Sequence, residues 1–485
     1  MKDALADETE RRREDMSPSE TDLQGWVAEA AERLAVPGVA VGIYDRGREQ
    51  YAFHGVTSIE NPLPVEENTL FQFGSTGKTF TSTAILRLMD QGLVDLESPV
   101  RKYVPELKLK DEQTARAVTV LQLLNHTAGW SGDLIQDTGG GDDALAKYVE
   151  LMAGLDQVTP LGATASYNNA SLSLAGRLIE KVTGKTYEQA IKELIFQPLG
   201  LTHSYFFPTE IMTRRFAVGH TQHPDDSITV ARPWALPRSG NPAGGISANA
   251  ADQIAWARFH LGDGCAKGGT RLLPEGLLKR MQEPTFDMRG SALGDAVGIS
   301  WLMRDVDGVR IVMHGGTTNG QHSMFDMVPE RGFAVISMTN CGPNGPQFND
   351  ELLKWALEAY LGVVDRDPEA VALGEDELTP YVGVYETIAA VCDVSILGGG
   401  LLLKVSIKPE MLAQLREAGG QDADEEQPPI PIGLLPGGED RYIVTDGPGK
   451  GMRGYFARDA AGRVSGIHAG GRMATRTGPT PAQLS

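Results

Sequence analysis

Cysteine is scarce in this chain, and long apolar runs are missing. Only Cys265, Cys341 and Cys392 occur among 485 residues, and no two of them form a C-x-x-C pair. That spacing is typical of a protein from a reduced compartment. No apolar run approaches the length of a membrane-spanning helix, and the charged first 20 residues lack the apolar core of a secretory signal. We therefore expect a cytoplasmic protein, although a chain whose signal had been removed would look the same.

Positive charge is also in deficit. Lysine and arginine number 44 against 64 aspartate and glutamate residues, which leaves a formal net charge of -20. This balance argues against nucleic acid and against anionic membranes as partners. The hydrophobic fraction of 41% and the charged fraction of 22% are ordinary for a soluble globular protein. The length is sufficient for two or three domains.

Changes in composition predict three parts of the chain. Residues 1–22 are a charged leader, and residues 23–364 form a mixed domain of helices and strands. From 365 to 485, short strand-like runs and turn signals such as DAAGR predict an all-β unit. Within that unit, EAGGQDADEEQPPIPIG (417–433) is typical of a mobile acidic loop.

Local patterns predict the elements of the main domain. Residues 38–55 indicate two strands joined by a polar turn, and a helix is expected after Lys78. A second helix is expected over 170–182, capped by Asn169 and ended by Gly184. The remaining expected elements are loops over much of 205–295 with one helix at 250–261, an antiparallel meander in RIVMHGG, HSMFDMV and GFAVISMTN, and a closing helix through Leu352–Leu361.

The segment FGSTGKTF raises a choice between two kinds of site. Gly77, Lys78 and Thr79 match the end of a phosphate-binding P-loop, whose full pattern is G-x-x-x-x-G-K-[ST]. The first glycine of that pattern would stand at position 72, which is Gln72. Without it, the backbone N–H groups have no obvious means of turning tightly around a phosphate. A nucleotide site is therefore disfavoured.

The other choice is an activated serine, because Ser75 and Lys78 stand three residues apart and share one face of a helix. A serine hydroxyl is a weak nucleophile until a base accepts its proton. A lysine amine can do so only when burial or a positive field lowers its pKa. A helix N-terminus supplies such a field and offers N–H groups to an oxyanion. The spacing alone is a common accident, so other motifs must support it.

Tyr167, in SYNNAS, precedes a predicted helix and is placed to project from a loop into a cleft. Beside a lysine ammonium the phenolate form is favoured, so we expect a lowered pKa and a role as general base. Asn169 could orient a substrate carbonyl or the Lys78 amine. The alternative is a half-buried tyrosine followed by a capping asparagine.

His314, Gly315, Gly316 and Thr317 end a predicted strand, where small residues let a ligand approach the backbone closely. The N–H of Thr317 could join that of Ser75 as the donor pair that acyl transfer needs. The alternative is a β-bulge with a histidine bonded to a local carbonyl.

In chain order, S-x-x-K (75–78), Y-x-N (167–169) and H-x-G (314–316) resemble the motifs of the serine β-lactamase and penicillin-binding protein family, in its class C β-lactamase and esterase branch. LLNHTAG (123–129) is similar to a loop of that family, and the likeness covers about residues 25–362. It implies an α+β fold, in which an antiparallel sheet is flanked by helices and a helical lobe lies between about 85 and 210. The C-terminal unit resembles the lipocalin-like barrels appended to some members.

The resemblance implies roles for the three catalytic candidates. Ser75 would be the acylated nucleophile and Lys78 its proton partner. Tyr167 would be the base that also activates water for deacylation. The cleft between the sheet and the helical lobe would hold the site, and we expect the C-terminal barrel to lean near it and to restrict substrate size.

Substrate-binding roles follow from the same resemblance. Asn169 would contact the substrate, and His314 and Gly316 would lie beside its carbonyl or carboxylate, with the Ser75 and Thr317 amides as the oxyanion hole. Many family members carry lysine where this chain has His314. A histidine is mostly neutral near pH 7, so it does not supply a fixed charge for a carboxylate. This departure favours substrates that need not be anionic.

The sequence therefore predicts a serine hydrolase that acts through an acyl-enzyme on a small ester, amide or short peptide, without metal or cofactor. It is like an esterase, a D-aminopeptidase or a weak β-lactamase. An acyltransferase of the same family and a catalytically silent binding or sensor protein are the alternatives. A metal site at His220 and His223 is disfavoured because no carboxylate or helix accompanies them. No G-x-S-x-G surrounds Ser75, so an α/β-hydrolase is unsupported. The oligomeric state is not indicated.

Overall fold

The computed structural model describes residues 18–417, 428–447 and 449–478. Most of the predicted leader and residues 418–427 of the predicted acidic loop therefore lie outside the described residues. Within the described ranges, no helix combines the length and the apolar character needed to cross a membrane.

Fifteen α-helices occur in the described ranges of the chain. The α-helices, in chain order, are α1 Glu20–Arg33, α2 Gly77–Asp90, α3 Glu112–Ala117, α4 Val120–Leu124, α5 Ala144–Leu151, α6 Asn169–Thr183, α7 Tyr187–Ile191, α8 Gln197–Leu199, α9 Pro208–Ile211, α10 Asn241–Gly244, α11 Ala250–Leu261, α12 Glu275–Met281, α13 Asn344–Ala356, α14 Glu375–Leu378 and α15 Pro409–Glu417. Helices α2 to α9 form the helical lobe that the resemblance implied. Within this stretch of the chain lies one two-residue strand, Ser204–Tyr205.

The strands fall into a main sheet, two small sheets and a barrel. Those before the barrel are β1 Gly38–Asp45, β2 Arg48–Gly55, β3 Phe71–Gln72, β4 Ser204–Tyr205, β5 His220–Gln222, β6 Ile228–Val230, β7 Ser247–Ala248, β8 Phe286–Ser291, β9 Gly294–Val297, β10 Leu302–Val306, β11 Val309–Met313, β12 Gly316–Thr317, β13 His322–Val328, β14 Phe333–Thr339 and β15 Cys341–Gly342. The main sheet has the order β2-β1-β14-β13-β11-β10-β9-β8, with β12 added on β13. Its pairs are antiparallel, which confirms the predicted meander.

Burial on both faces explains the apolar character of the central strands. In β14, FAVISMT is buried along its whole length. Successive residues of β14 point to opposite faces of the sheet. Phe333 and Val335 belong to a core shared with α1 and α13, whereas Ala334, Ile336 and Met338 belong to a core shared with α2 and α11. The sheet is therefore a layer between two sets of helices, and side chains on both of its faces lose contact with water.

Residues 77–86 of helix α2 are buried on all sides, not only on the predicted apolar face. Its Thr and Ser side chains are as deeply buried as Phe80. Their hydroxyls bond to backbone carbonyls, for example Thr79 Oγ1 to Thr76 O at 2.7 Å and Thr81 Oγ1 to Pro242 O at 2.7 Å. Because each such hydroxyl has an acceptor, a polar sequence can enter the core at little cost.

The C-terminal unit is a closed antiparallel barrel of eight strands, as the resemblance implied. Its strands are β16 Gly383–Glu386, β17 Ala390–Leu397, β18 Gly400–Ile407, β19 Ile430–Leu434, β20 Arg441–Val444, β21 Arg453–Arg458, β22 Val464–Ala469 and β23 Arg472–Arg476. Alternate residues face inward, so Cys392 and Val394 are buried while Asp393 between them is exposed. Closure pairs β16 with β23 and leaves no open edge.

The predicted elements agree with the structure except near two sites. The first two strands, the helix at 250–261 and the end of α6 at Gly184, in the left-handed region at φ 67°, are confirmed. The predicted cap Asn169 is wrong by one residue. Asn168 has the extended backbone of a cap, and its side chain accepts from the Ser171 N–H at 2.9 Å. The region 205–295, where mainly loops were expected beside one helix, is the other difference, because it also contains helices α9, α10 and α12 and strands β5, β6, β7 and β8.

A buried carboxyl in the main sheet should make the stability of the fold depend on pH. Burial raises the pKa of Asp326, on β13, to about 7, although the Arg304 charge opposes the shift. The pKa of Asp326 is higher in the folded state than in the unfolded state. Its contribution to stability is therefore fully present below about pH 4 and is lost as pH rises through 7. Asp326→Asn should therefore lose less stability than the wild type between pH 5 and pH 8, by on the order of 1 kcal/mol or more.

Unfolding midpoints in denaturant, measured at both pH values, test this expectation. The same substitution at the exposed Asp393 is the matched control. An equal pH dependence in the wild type and in Asp326→Asn would contradict it.

Candidate active site

Ser75 lies in a short 3₁₀ turn, Gly74–Thr76, that leads directly into α2. Lys78 is in the first turn of that helix, and its Nζ lies 2.9 Å from Ser75 Oγ. The same Nζ donates to Ala243 O at 2.7 Å. The predicted shared face is therefore present, and the main-chain carbonyl of α10 fixes the direction of the amine.

Lys78 has no exposed surface, although it is a lysine. Burial, with the Arg472 charge as the second cause, lowers its pKa well below the usual value. Asp133 opposes this shift as the weaker contribution. An amine in this environment favours its neutral form and keeps a lone pair. A lysine can activate a serine only when its pKa is lowered, and the burial of Lys78 meets this requirement.

Tyr167 is the third predicted catalytic residue, and its ring centroid lies 4.7 Å from Lys78 Nζ. The predicted direction of its pKa is wrong. Burial raises the pKa of this phenol, while interaction with the Ser75 hydroxyl and the Arg472 charge only partly oppose the rise. A neutral Lys78 cannot supply the positive charge on which the expectation depended. Tyr167 is therefore a phenol near neutral pH.

His126, from the LLNHTAG loop, packs against Tyr167 with ring centroids 4.5 Å apart. Its backbone is in the left-handed region at φ 62°, and its Nδ1 accepts from the Asn168 N–H at 3.1 Å. This bond ties the loop to the segment that carries Tyr167. His126 is part of the LLNHTAG motif, but no other feature of the sequence indicates that it lies beside the Tyr167 phenol.

Asn169 does not point at Lys78 in this structure. Its Nδ2 donates to Asp133 Oδ1 at 3.3 Å, at the start of α6. Asp133 in turn accepts from Arg472, through Nε at 2.5 Å and Nη2 at 2.9 Å. The predicted substrate contact is therefore part of a polar network that joins the helical lobe to the barrel.

The H-x-G segment lies against the Ser75 turn. A Cβ on Gly316 would overlap the Phe73 carbonyl and would stand 2.7 Å from Ser75 N. A Cβ on Gly74, which has φ 63°, would stand 2.7 Å from Thr317 N. Two glycines therefore allow the Ser75 and Thr317 backbones to lie side by side, as an oxyanion pair requires.

His314 is buried behind this segment. Burial, with the Lys78 charge second, lowers its pKa to about 3. Its Nδ1 lies 2.6 Å from Gly315 O, whereas its Nε2 has no hydrogen-bond partner among the described residues. With Nδ1–H donating to that carbonyl, Nε2 is an acceptor. The third motif therefore carries a neutral ring, as its sequence indicated.

Arg472 is the residue of the site that sequence reasoning missed. It begins β23, and its guanidinium carbon lies 5.3 Å from the Tyr167 ring centroid. The barrel reaches this point through its β22–β23 turn, where Gly471 O accepts from the Tyr167 N–H at 2.9 Å. The only sequence signal was the turn pair Gly470-Gly471 in front of the arginine. The barrel thus borders the cleft, and its effect on substrate size stays a prediction.

The two histidines weighed as metal ligands have other partners. His220 Nδ1 lies 2.7 Å from Asn340 O, and its Nε2 accepts from the Ile59 N–H at 3.1 Å. His223 Nε2 lies 2.9 Å from Thr229 Oγ1. In the part of the chain that the structure describes, no three His, Cys, Asp or Glu side chains are grouped as metal ligands.

Comparison with known proteins assigns the family. A family model described as Beta-lactamase matches residues 23–360. The chain belongs to the β-lactamase family. Penicillin-binding protein 4 of Amycolatopsis lactamdurans is 34% identical to it over 358 residues, which are 72% of this chain and 93% of that protein.

Solved structures extend the likeness of this β-lactamase-family chain. SurE superposes with a TM-score of 0.73 at 23% identity and covers 94% of this chain and 99% of its own, a likeness of fold that includes the barrel. The D-amino acid amidase of Ochrobactrum anthropi, solved with L-phenylalanine amide, has a TM-score of 0.58 at 25% identity over 69% of this chain and 96% of its own. With such relatives, the chain is a serine hydrolase.

The close approach at Gly316 predicts the result of adding one methyl group. Gly316→Ala should displace the Ser75 turn from Thr317 and lower kcat for a p-nitrophenyl ester by about 100-fold or more, the cost of losing one oxyanion donor. Gly315→Ala is the matched control, because its Cβ would meet only Ser323 O, at 3.3 Å. Equal rates in the two variants would show that the Gly316 approach is not needed.

Proposed function

We propose that this chain hydrolyses esters or amides of amino acids and short peptides through an acyl-enzyme on Ser75. The observation that carries the proposal is the 2.9 Å separation of Ser75 Oγ from a lysine amine with no exposed surface. A neutral amine at hydrogen-bond distance can accept the serine proton, and this is the activation that a serine nucleophile needs.

Acylation then proceeds in two steps, attack on the carbonyl and departure of the leaving group. Ser75 Oγ attacks the substrate carbonyl carbon while its proton moves to Lys78 Nζ, which gives a tetrahedral oxyanion and an ammonium. The bond from carbon to the leaving nitrogen or oxygen then breaks, and the Tyr167 phenol gives its proton to the leaving group. The Lys78 ammonium returns a proton to Tyr167. The raised pKa of Tyr167 supports this role, because a phenol that stays protonated is available as an acid.

The oxyanion would be held by the N–H groups of Ser75 and Thr317, whose backbones lie side by side. His314 Nε2, a buried acceptor with no partner among the residues that the structure describes, is suited to a substrate N–H or to the attacking water. Deacylation reverses the proton path. Water attacks the acyl carbon, its proton passes to the Lys78 and Tyr167 pair, and Ser75 Oγ leaves with a proton.

Amides of amino acids are supported as substrates by one similar structure, which is named a D-amino acid amidase and was solved with L-phenylalanine amide. The neutral His314 supports the same class, because the third motif places no fixed charge beside the substrate carbonyl.

Covalent labelling tests the nucleophile. A fluorophosphonate should add one adduct to the wild type, mapped by mass spectrometry to Ser75, and Ser75→Ala should lose both the adduct and at least 1,000-fold of the ester hydrolysis rate. Ser82→Ala is the matched control, because Ser82 lies in α2 and its hydroxyl donates to Thr79 O at 3.1 Å. An unlabelled wild type would favour the silent binding protein. A panel of p-nitrophenyl esters, D-alanine p-nitroanilide and nitrocefin then separates ester, peptide and β-lactam hydrolysis.

The pH dependence of kcat/KM tests the base. Because the neutral amine is the active form, the rate on an uncharged ester should rise as pH rises through the lowered pKa of Lys78. No inflection near pH 6.5 is expected from His314, whose pKa is about 3. Lys78→Arg, which stays charged, should be slower by about 100-fold or more over the whole range. A Lys78→Arg variant with the wild-type profile would rule out the amine as base.

A further inference from the structure

The barrel contributes a side chain to the catalytic cleft, and three hydrogen bonds hold it there. The Tyr167 N–H donates to Gly471 O at 2.9 Å, and the Met473 N–H donates to Ser166 Oγ at 3.2 Å. His468 Nε2 lies 3.2 Å from Ala165 O. The β22–β23 hairpin is thus attached along residues 165–167, the segment that carries the catalytic phenol.

Arg472 is oriented by this attachment and by Asp133. Its Nε and Nη2 donate to the two oxygens of Asp133, and its Nη1 donates to Gly470 O at 3.2 Å. A guanidinium has five N–H groups, so two remain. The Arg472 side chain is 34% exposed and that of Asp133 only 15%. Arg472 is therefore the more exposed partner of the ion pair.

Among the described basic side chains near Tyr167, Arg472 alone favours a positive charge. Lys78, His126 and His314 all have pKa values lowered by burial. Burial also acts to lower the pKa of Arg472, but the hydrogen bonds and charge of Asp133 together raise it. The charge that His314 does not supply is thus present elsewhere in the cleft, on the other unit of the chain.

We propose that the free edge of Arg472 binds a carboxylate of the substrate, so that the preferred ester or amide carries an anionic group about one side-chain length from the scissile carbonyl. The proposal rests on the acyl-enzyme function proposed above for Ser75. The path from Ser75 through Lys78 and the Tyr167 ring to Arg472 consists of direct contacts at 2.9, 4.7 and 5.3 Å. A planar guanidinium pairs well with a carboxylate, and its position on a hairpin fixed at three points limits where that carboxylate lies.

Matched substrates measure this preference. N-succinyl-, N-glutaryl- and N-adipyl-D-alanine p-nitrophenyl esters are compared with their terminal carboxamides, after subtraction of the enzyme-free rate. For at least one spacer, the wild type should show a kcat/KM ratio of carboxylate to carboxamide of about 10 to 100, as for a hydrogen bond to a charged group. Arg472→Gln should bring that ratio to about 1, and Arg472→Lys should give an intermediate value.

Arg458→Gln is the matched control. Arg458 makes the same two-bond pair, with Asp440 at 2.7 Å for each bond, elsewhere on the barrel. It should therefore keep the wild-type ratio. A ratio near 1 in the wild type for every spacer, or an unchanged ratio in Arg472→Gln, overturns the proposal. Equal losses on both substrates with a shifted pH profile also overturn it, since Arg472 would then act through Lys78 and Tyr167.

A measurement without turnover separates this proposal from the proposed function. Glutarate should slow the fluorophosphonate labelling of Ser75 in the wild type but not in Arg472→Gln, whereas glutaramide should slow neither. Labelling without glutarate protection would contradict the carboxylate site while leaving the acyl-enzyme intact. An absence of labelling would contradict the acyl-enzyme itself, and binding of glutarate by calorimetry to the wild type and to Arg472→Gln would then decide the site.

Discussion

The chemistry of this site depends on the burial of one amine. Carrying a lysine ammonium into a protein interior without a paired anion costs several kcal/mol, so the group favours its neutral form. No carboxylate is bonded to Lys78 in the described structure, and its one main-chain acceptor, Ala243 O, leaves the lone pair free for Ser75. Asp133, the acid that would favour the ammonium, is bonded to Arg472. The burial of Lys78 and the pairing of Asp133 with Arg472 therefore both favour the neutral amine.

The residues around that amine come from widely separated parts of the chain. The Ser75 turn and the H-x-G strand are held by the main sheet, the Tyr167 segment by His126 and the barrel, and Asn169 by Asp133. Hydroxyl and main-chain bonds make these connections, for example Thr76 Oγ1 to His314 O at 2.8 Å. Bonds of this kind are short and directional, so they set the spacing between segments more narrowly than apolar contacts do.

Sequence reasoning succeeded where a property is local and failed where it depends on the whole environment. The three-residue spacing of Ser75 and Lys78, and the alternation in the strands, need only the geometry of one element. The cap of α6 was placed one residue late, because two adjacent asparagines look alike until the backbone angles of Asn168 are known. The pKa of Tyr167 depends on total burial, and Arg472 lies some 300 residues away in a different unit, with no motif around it. Neither can be found by local pattern.

The neutral third motif and the charged hairpin are physically coupled. A fixed cation at position 314 and a charge on Lys78 would disfavour each other, as the effect of Lys78 on the His314 pKa indicates. Arg472 lies near the same Tyr167 ring as Lys78 but is partly compensated by Asp133. A charge in that position still lowers the pKa of the amine, which favours the neutral form that the proposed activation of Ser75 requires. A histidine at 314 and an arginine at 472 thus allow one cleft to hold both an uncharged amine and a permanent cation.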